Sequence, residues 1–258
     1  MSDKNSSFIN LPDLPDSVDN AVKNLTDKPT QGIGQTLADA WYLVFSPITQ
    51  AANKRRMKYA HELENYNHEL SSAIEAIPEE NLVEPSIQIT AQALENSKYC
   101  IESEDLRKMF VNLISKSMDK RHISNVHPSF AEIIKQMAPV DAHVLKALYP
   151  ASRFPVVDYV IKYSRLTYRL LLPNVYVTYP MSLSLECLSA SISSLKRLGI
   201  IDFNRQACIT NDQVYIPFKE NEYYQNLIHS NPSEEIELKK YLGFFTPLGK
   251  NFCEICVK

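Results

Sequence analysis

Prolines divide this chain into pieces of helix length, and that division constrains its fold more than any other feature. Proline lacks an N–H and holds φ near −65°, so it is tolerated in the first turn of a helix and stops one that runs into it. Pro47, Pro78, Pro85, Pro128, Pro139 and Pro150 all fall at the edges of segments whose apolar residues recur every three or four positions. Pro85-Ser86 opens a helix carrying Ile87, Ala91 and Leu94. Ser103, with Glu104 and Asp105 placed to favour the positive end of a helix, opens another carrying Leu106, Phe110, Leu113 and Ile114. Pro128 introduces Phe130, Ile133, Ile134 and Met137, Pro139 introduces Val144, Leu145 and Leu148, and Pro150 closes the set.

Upstream, Ile33, Leu37, Ala40, Trp41, Val44 and Ile48 share a helical face that Ser46-Pro47 interrupts. A second helix is expected from there to Ile77, roughly 30 residues and about 45 Å long. Its apolar positions, Ala52, Tyr59, Leu63, Tyr66, Leu70, Ala73 and Ile77, alternate by three and four with charged flanks. Such a stripe is costly in water, since burying a Leu side chain is worth roughly 1.5–3 kcal/mol. It is expected to meet either the chain's own helices between residues 86 and 149 or a second copy of itself in a homodimer.

After Pro150 the character changes. Thr167 to Leu172 and Val175 to Tyr179 are rich in strand-favouring residues, with Pro173-Asn174 between them. A helix carrying Leu185, Leu188, Ile192, Leu195 and Leu198 ends at Gly199, where a left-handed cap belongs. Ile200 to Phe203 and Val214 to Phe218 flank a turn-rich segment, giving a hairpin pattern, and Phe244 to Gly249 lead into a short terminal helix over 250–257. The order helix, glycine stop, hairpin, helix is that of a winged-helix module. The expected fold is therefore mainly α: a flexible leader over 1–30, an N-terminal helical bundle over 31–150, and a small α+β winged-helix-like domain over 151–258.

Composition narrows the function classes. Apolar residues make up 45% of 258, charged residues 22%, and the net charge is −3, an ordinary globular balance with no bulk attraction to nucleic acid or anionic lipid. Five scattered cysteines and an N-terminus with no basic and apolar run of a signal peptide point to a reducing, cytoplasmic setting. The apolar stretch from Leu37 to Ile48 contains Asp39 and Pro47 and is too short to span a bilayer.

Pro78 to Pro85, Ala93 to Tyr99, Met109 to Ile114 and His127 to Met137 together resemble the core of the Abi-alpha (abortive infection alpha) family. The similarity extends upstream to Trp41-Tyr42-Leu43-Val44-Phe45 and downstream through Leu195 to Gly199 and Thr246 to Lys250. The resemblance implies a bacterial protein of phage defence that halts propagation at the infected cell's expense; with no catalytic signature beside it, the expected partner is a phage or host protein. It carries over no catalytic residues.

The residues themselves supply candidates for chemistry but no signature. His127 precedes Pro128, and with Glu84, Asp105 or Asp141 nearby it would form the cluster of a toxin-like hydrolase or nuclease, though no H-E-x-x-H or paired-carboxylate spacing accompanies it. Cys253-Glu254-Ile255-Cys256 is a CxxC without the two further ligands zinc needs, so no metal is expected. Gly32-Ile33-Gly34 lacks the lysine of a phosphate loop, and no cofactor is expected. Trp41 to Ile48 followed by Lys54-Arg55-Arg56-Met57-Lys58 has the make-up of a membrane-surface segment, against which stands Trp41 as an ordinary core anchor. A winged helix suggests a transcriptional regulator, yet the helix from Ser184 to Leu198 is rich in serine, with Lys196 and Arg197 as its basic residues and Arg205 beyond it. That is little charge for phosphate neutralisation. A protein partner is favoured over DNA.

Overall fold

A computed structural model describes residues 33–45, 55–164, 167–177 and 183–258. The protein is mostly helical with a small four-stranded sheet, and it forms two compact units, one ending at Ser124 and the other beginning at Asn125. The expected leader over 1–30 and the expected helix start at Pro47 lie outside the described residues.

The first unit holds α1 (Ile33–Phe45), α2 (Arg55–Glu75), α3 (Ile87–Ser97) and α4 (Glu104–Ser117). Ser86 and Ser103 occupy the N-cap positions of α3 and α4, as their sequence contexts indicate. α2 stops at Glu75, two residues short of Ile77, where the chain tightens through an Ile77 N–H to Ile74 C=O bond of 3.0 Å before Pro78. Leu63, Tyr66 and Leu70 on α2 are buried, and α2 packs on α4, so the chain's own helices cover this stripe. α3 packs on both α1 and α4. Trp41 and Phe45 of α1 are wholly buried, with ring centroids 4.6 Å apart and the tryptophan 5.2 Å from Tyr66.

A buried ion cluster ties α2 to α4. Arg107, 5% exposed, grips Glu69 with two parallel bonds of 3.1 and 2.9 Å, Glu62 at 2.7 Å and the Ile101 carbonyl at 2.8 Å. The planar guanidinium fork suits this arrangement, because it offers several donors in fixed directions at once.

The second unit holds α5 (Ser129–Lys135), α6 (Pro139–Leu148), β1 (Arg153–Lys162), β2 (Tyr168–Val175), α7 (Leu185–Arg197), β3 (Ile201–Asn204), α8 (Ile216–Glu220), α9 (Glu222–Ser230), β4 (Ile236–Phe245) and α10 (Pro247–Phe252). A π-helical turn over Cys253–Val257 follows α10. The strands pair antiparallel in the order β2-β1-β4-β3. α5 and α6 fall in the unit that carries the sheet.

Two strand expectations are corrected. Val214 to Phe218 is not the partner of β3. It forms a 3-10 turn over Asp212–Tyr215 and then α8, with Pro217 in the first turn and Tyr215 and Phe218 both buried. β3 pairs instead with β4, Phe203 opposite Gly243. Pro173-Asn174 does not end a strand either: β2 runs through it to Val175, with a register shift against β1 between Val157 and Val160. Asn174 takes the left-handed φ of +50° there, a conformation asparagine tolerates.

Gly199 is the left-handed cap that closes α7, at φ +74°. The Ile200 N–H reaches the Leu195 carbonyl at 3.1 Å and the Gly199 N–H reaches Lys196 at 3.0 Å, the bond pair of a Schellman motif. Gly243 is needed for a different reason: the Phe154 ring, across from it on β1, occupies the space a β-carbon would take.

Candidate functional site

The surface feature best suited to binding is a groove between α1 and α3 in the first unit. Thr36, Asp39, Ala40, Leu43 and Val44 follow one another at i, i+3, i+4, i+7 and i+8 and so form one stripe along α1. Ile87 and Ala91, one turn apart, face them from α3. Two alanines on facing helices leave a hollow of about 240 Å³, while Leu43 and Ile87 stand at its rim 72% and 67% exposed. Lone exposed apolar residues are ordinary on a protein surface; here two large ones line one hollow.

The electrostatics of the groove are one-sided. Asp39 is exposed on the α1 stripe, and Glu84 accepts a 2.9 Å bond from the Thr36 hydroxyl. The loop that carries Glu84 is anchored by a Val83 N–H to Met118 carbonyl bond of 2.9 Å and by buried Pro85. Neither α1 nor α3 contains a lysine or arginine.

Glu84 belongs to the loop before α3 and Asp105 to the first turn of α4, both in the first unit, and His127 and Asp141 belong to the second. His127 is exposed just before α5: its Nδ1 accepts the Ser129 N–H at 3.1 Å and lies 2.7 Å from the Ser129 hydroxyl. Asp141 is buried, accepts the Ala138 N–H at 3.0 Å at the start of α6, and takes a 2.9 Å bond from the Ser194 hydroxyl. Among the described residues no three His, Cys, Asp or Glu side chains are arranged to hold a metal ion.

Cys253 and Cys256 are both buried, and burial pushes the Cys253 thiol up to about 12. A thiol so hard to ionise is a core side chain rather than a nucleophile. The basic residues on which DNA contact would depend are engaged within the second unit. Lys196 pairs with Asp202, Arg197 reaches Gln136 at 3.0 Å, and Arg205 bonds Asp158 at 3.1 Å. Buried Asp158 also accepts the Tyr241 hydroxyl and the Asn174 N–H, each at 2.8 Å, and with these donors it bridges β1, β2, β4 and the segment after β3. Trp41 and Phe45 face the core, so the aromatic pair of the membrane-surface reading is enclosed, and among the described residues no helix is long and apolar enough to cross a membrane.

Sequence reasoning missed the groove, because Leu43 falls off the apolar face of α1 that the spacing of Leu37, Ala40, Trp41 and Val44 defines. Only the packing of α3 against α1 brings Leu43 and Ile87 to one hollow.

A helical unit with a one-sided acidic groove is joined in sequence to a unit built on an antiparallel sheet. The family model of abortive infection alpha proteins matches residues 58–256, most of the chain, and the protein belongs to that family. α1, and with it one wall of the groove, lies outside the matched residues. No curated protein and no solved structure matches the chain.

Proposed function

We propose that this protein is a bacterial, cytoplasmic phage-defence protein that acts by binding a phage or host protein rather than by chemistry of its own. Family membership supplies the setting, and the acidic-rimmed apolar groove between α1 and α3 carries the binding reading. In this view the first unit is a helical bundle whose buried Arg107 cluster keeps α2 and α4 in place, so that α1 and α3 present a preformed surface. Preformed surfaces bind more tightly because less ordering is left to be done on association.

The second unit serves as the effector surface. In this view α7, the Gly199 turn, β3, β4 and α10 make up a winged-helix-like module, a reading supported by their order along the chain, with α8 and α9 falling between β3 and β4. The internal pairing of Lys196, Arg197 and Arg205 favours contact with protein over DNA.

Plating a broad phage panel on host cells with and without the protein tests this reading. Reduced plaque counts or burst size for some phages, together with early death of infected cells, is the expected result. Unchanged plaque counts and burst sizes across the panel would remove the reading.

A further inference from the structure

We propose that the α1–α3 groove docks a basic amphipathic helix of a partner protein. Apolar side chains of the helix seat on Ala40 and Ala91 between Leu43 and Ile87, and its flanking lysine or arginine side chains meet Asp39 and Glu84. The inference rests on the reading of the protein as a binding module and adds the chemistry of what it binds.

Size favours a side chain over a small molecule. The hollow of about 240 Å³ lies below the roughly 300 Å³ at which pockets for drug-sized ligands begin, but it suits one or two apolar anchors. Helix-in-groove recognition works in this way, with anchors spaced one helical turn apart filling a shallow apolar channel. Ile87 and Ala91, themselves one turn apart, present a wall with that repeat.

Charge selects the sign of the partner. Asp39 and Glu84 make no ion pair among the described residues, and α1 and α3 bring no cation of their own. An incoming lysine or arginine therefore displaces no cationic partner among the described residues. The same carboxylates repel phosphate, which sets the groove against nucleic acid and against an anionic bilayer.

Fluorescence anisotropy with the full-length protein decides it. The probe is a labelled helical peptide of about four turns with leucines at i, i+3, i+4 and i+7 and lysines on its flanks, compared with the same peptide carrying glutamates instead. The lysine peptide should bind and the glutamate peptide should not. Leu43→Gln with Ile87→Gln should weaken binding at least about tenfold, or about 1.4 kcal/mol. Both side chains are largely exposed, so Trp41 emission and the melting curve should stay as in the wild type. Asp39→Lys, at an exposed position, is an independent variant that should shift preference toward the glutamate peptide.

Absence of binding, equal binding of the two peptides, or binding unchanged in the Leu43→Gln/Ile87→Gln protein overturns the proposal. Two further outcomes also overturn it by giving the groove to this chain itself. One is a dimer in light scattering that these substitutions dissociate. The other is hydrogen-exchange protection of residues 1–32 that they abolish. Phage plating separates this inference from the broader reading: protection that survives loss of peptide binding sinks the groove alone, while a wild-type chain that never protects sinks the defence role and leaves the groove to be decided by the peptides.

Discussion

Replacing Arg107 with methionine should destabilise the first unit more than any other single polar substitution there. Methionine keeps much of the aliphatic stem but removes four hydrogen bonds, three of them to Glu62 and Glu69. Removing one partner of a buried ion pair generally costs about 3–5 kcal/mol, because the remaining charge is left uncompensated. Here the Glu62 and Glu69 side chains keep 18% and 26% exposure and regain some hydration, so the lower end, about 3 kcal/mol, applies. At about 4 °C per kcal/mol for a unit of this size, the melting point of the first unit should drop by about 12 °C. Trp41 is the only tryptophan and sits buried beside Phe45 and Tyr66, so its fluorescence follows the unfolding of this unit alone. Adding Glu62→Gln and Glu69→Gln to the methionine variant removes the stranded charges and should restore more than half of the loss. A single variant within 0.5 kcal/mol of wild type, or a triple variant worse than the single, would refute the reasoning.

Four further outcomes follow from the second unit. Gly199→Ala should cost about 1–2 kcal/mol in urea unfolding followed by circular dichroism, because the β-carbon is strained at φ +74° although the space around it is open. Tyr241→Phe should cost about 1.5–3 kcal/mol by the same measurement, since buried Asp158 loses a hydroxyl donor and keeps only Arg205 and the Asn174 N–H. With the Cys253 thiol raised to about 12 in the fold against about 8.5 in the unfolded chain, its contribution is complete below pH about 8.5 and is lost as pH rises toward 12. Burial shifts Tyr159 and Tyr241 in the same upward direction, so urea midpoints should fall steadily on the alkaline side. In a thiol-reagent titration at pH 8, exposed Cys208 should react readily and Cys253 only after unfolding.

The parts of this fold that the sequence discloses are those set by local chemistry. Pro139 and Gly199 mark helix ends because an absent N–H or a left-handed φ is decided within a few residues, and Ser86 and Ser103 stand at N-cap positions in extended backbone without a side-chain bond to the helix. β1 was not legible: Pro155 and Asp158 interrupt its apolar run, and its two neighbours in the sheet start 15 and 83 residues after it does. Asp158 reads as a strand breaker until Tyr241, Arg205 and Asn174, all distant in sequence, supply its hydrogen bonds. Val214 to Phe218 shows the opposite error. Its β-branched and aromatic residues suggest a strand, yet Tyr215 and Phe218 are three apart and Pro217 fits a helical first turn, so burial on one helical face prevails. No motif spacing ties His127 to Glu84, Asp105 or Asp141, and His127 Nδ1 accepts the Ser129 N–H at the start of α5.

The account stands or falls on whether protection against phage travels with the groove. Phage plating on cells carrying the wild type, the Leu43→Gln/Ile87→Gln protein and His127→Ala, with all three shown folded by circular dichroism melting, measures this directly. The account predicts that plaque counts fall for the wild type and equally for His127→Ala, and return to the level of unprotected cells for the groove variant. Full protection by the groove variant together with its loss in His127→Ala would contradict it.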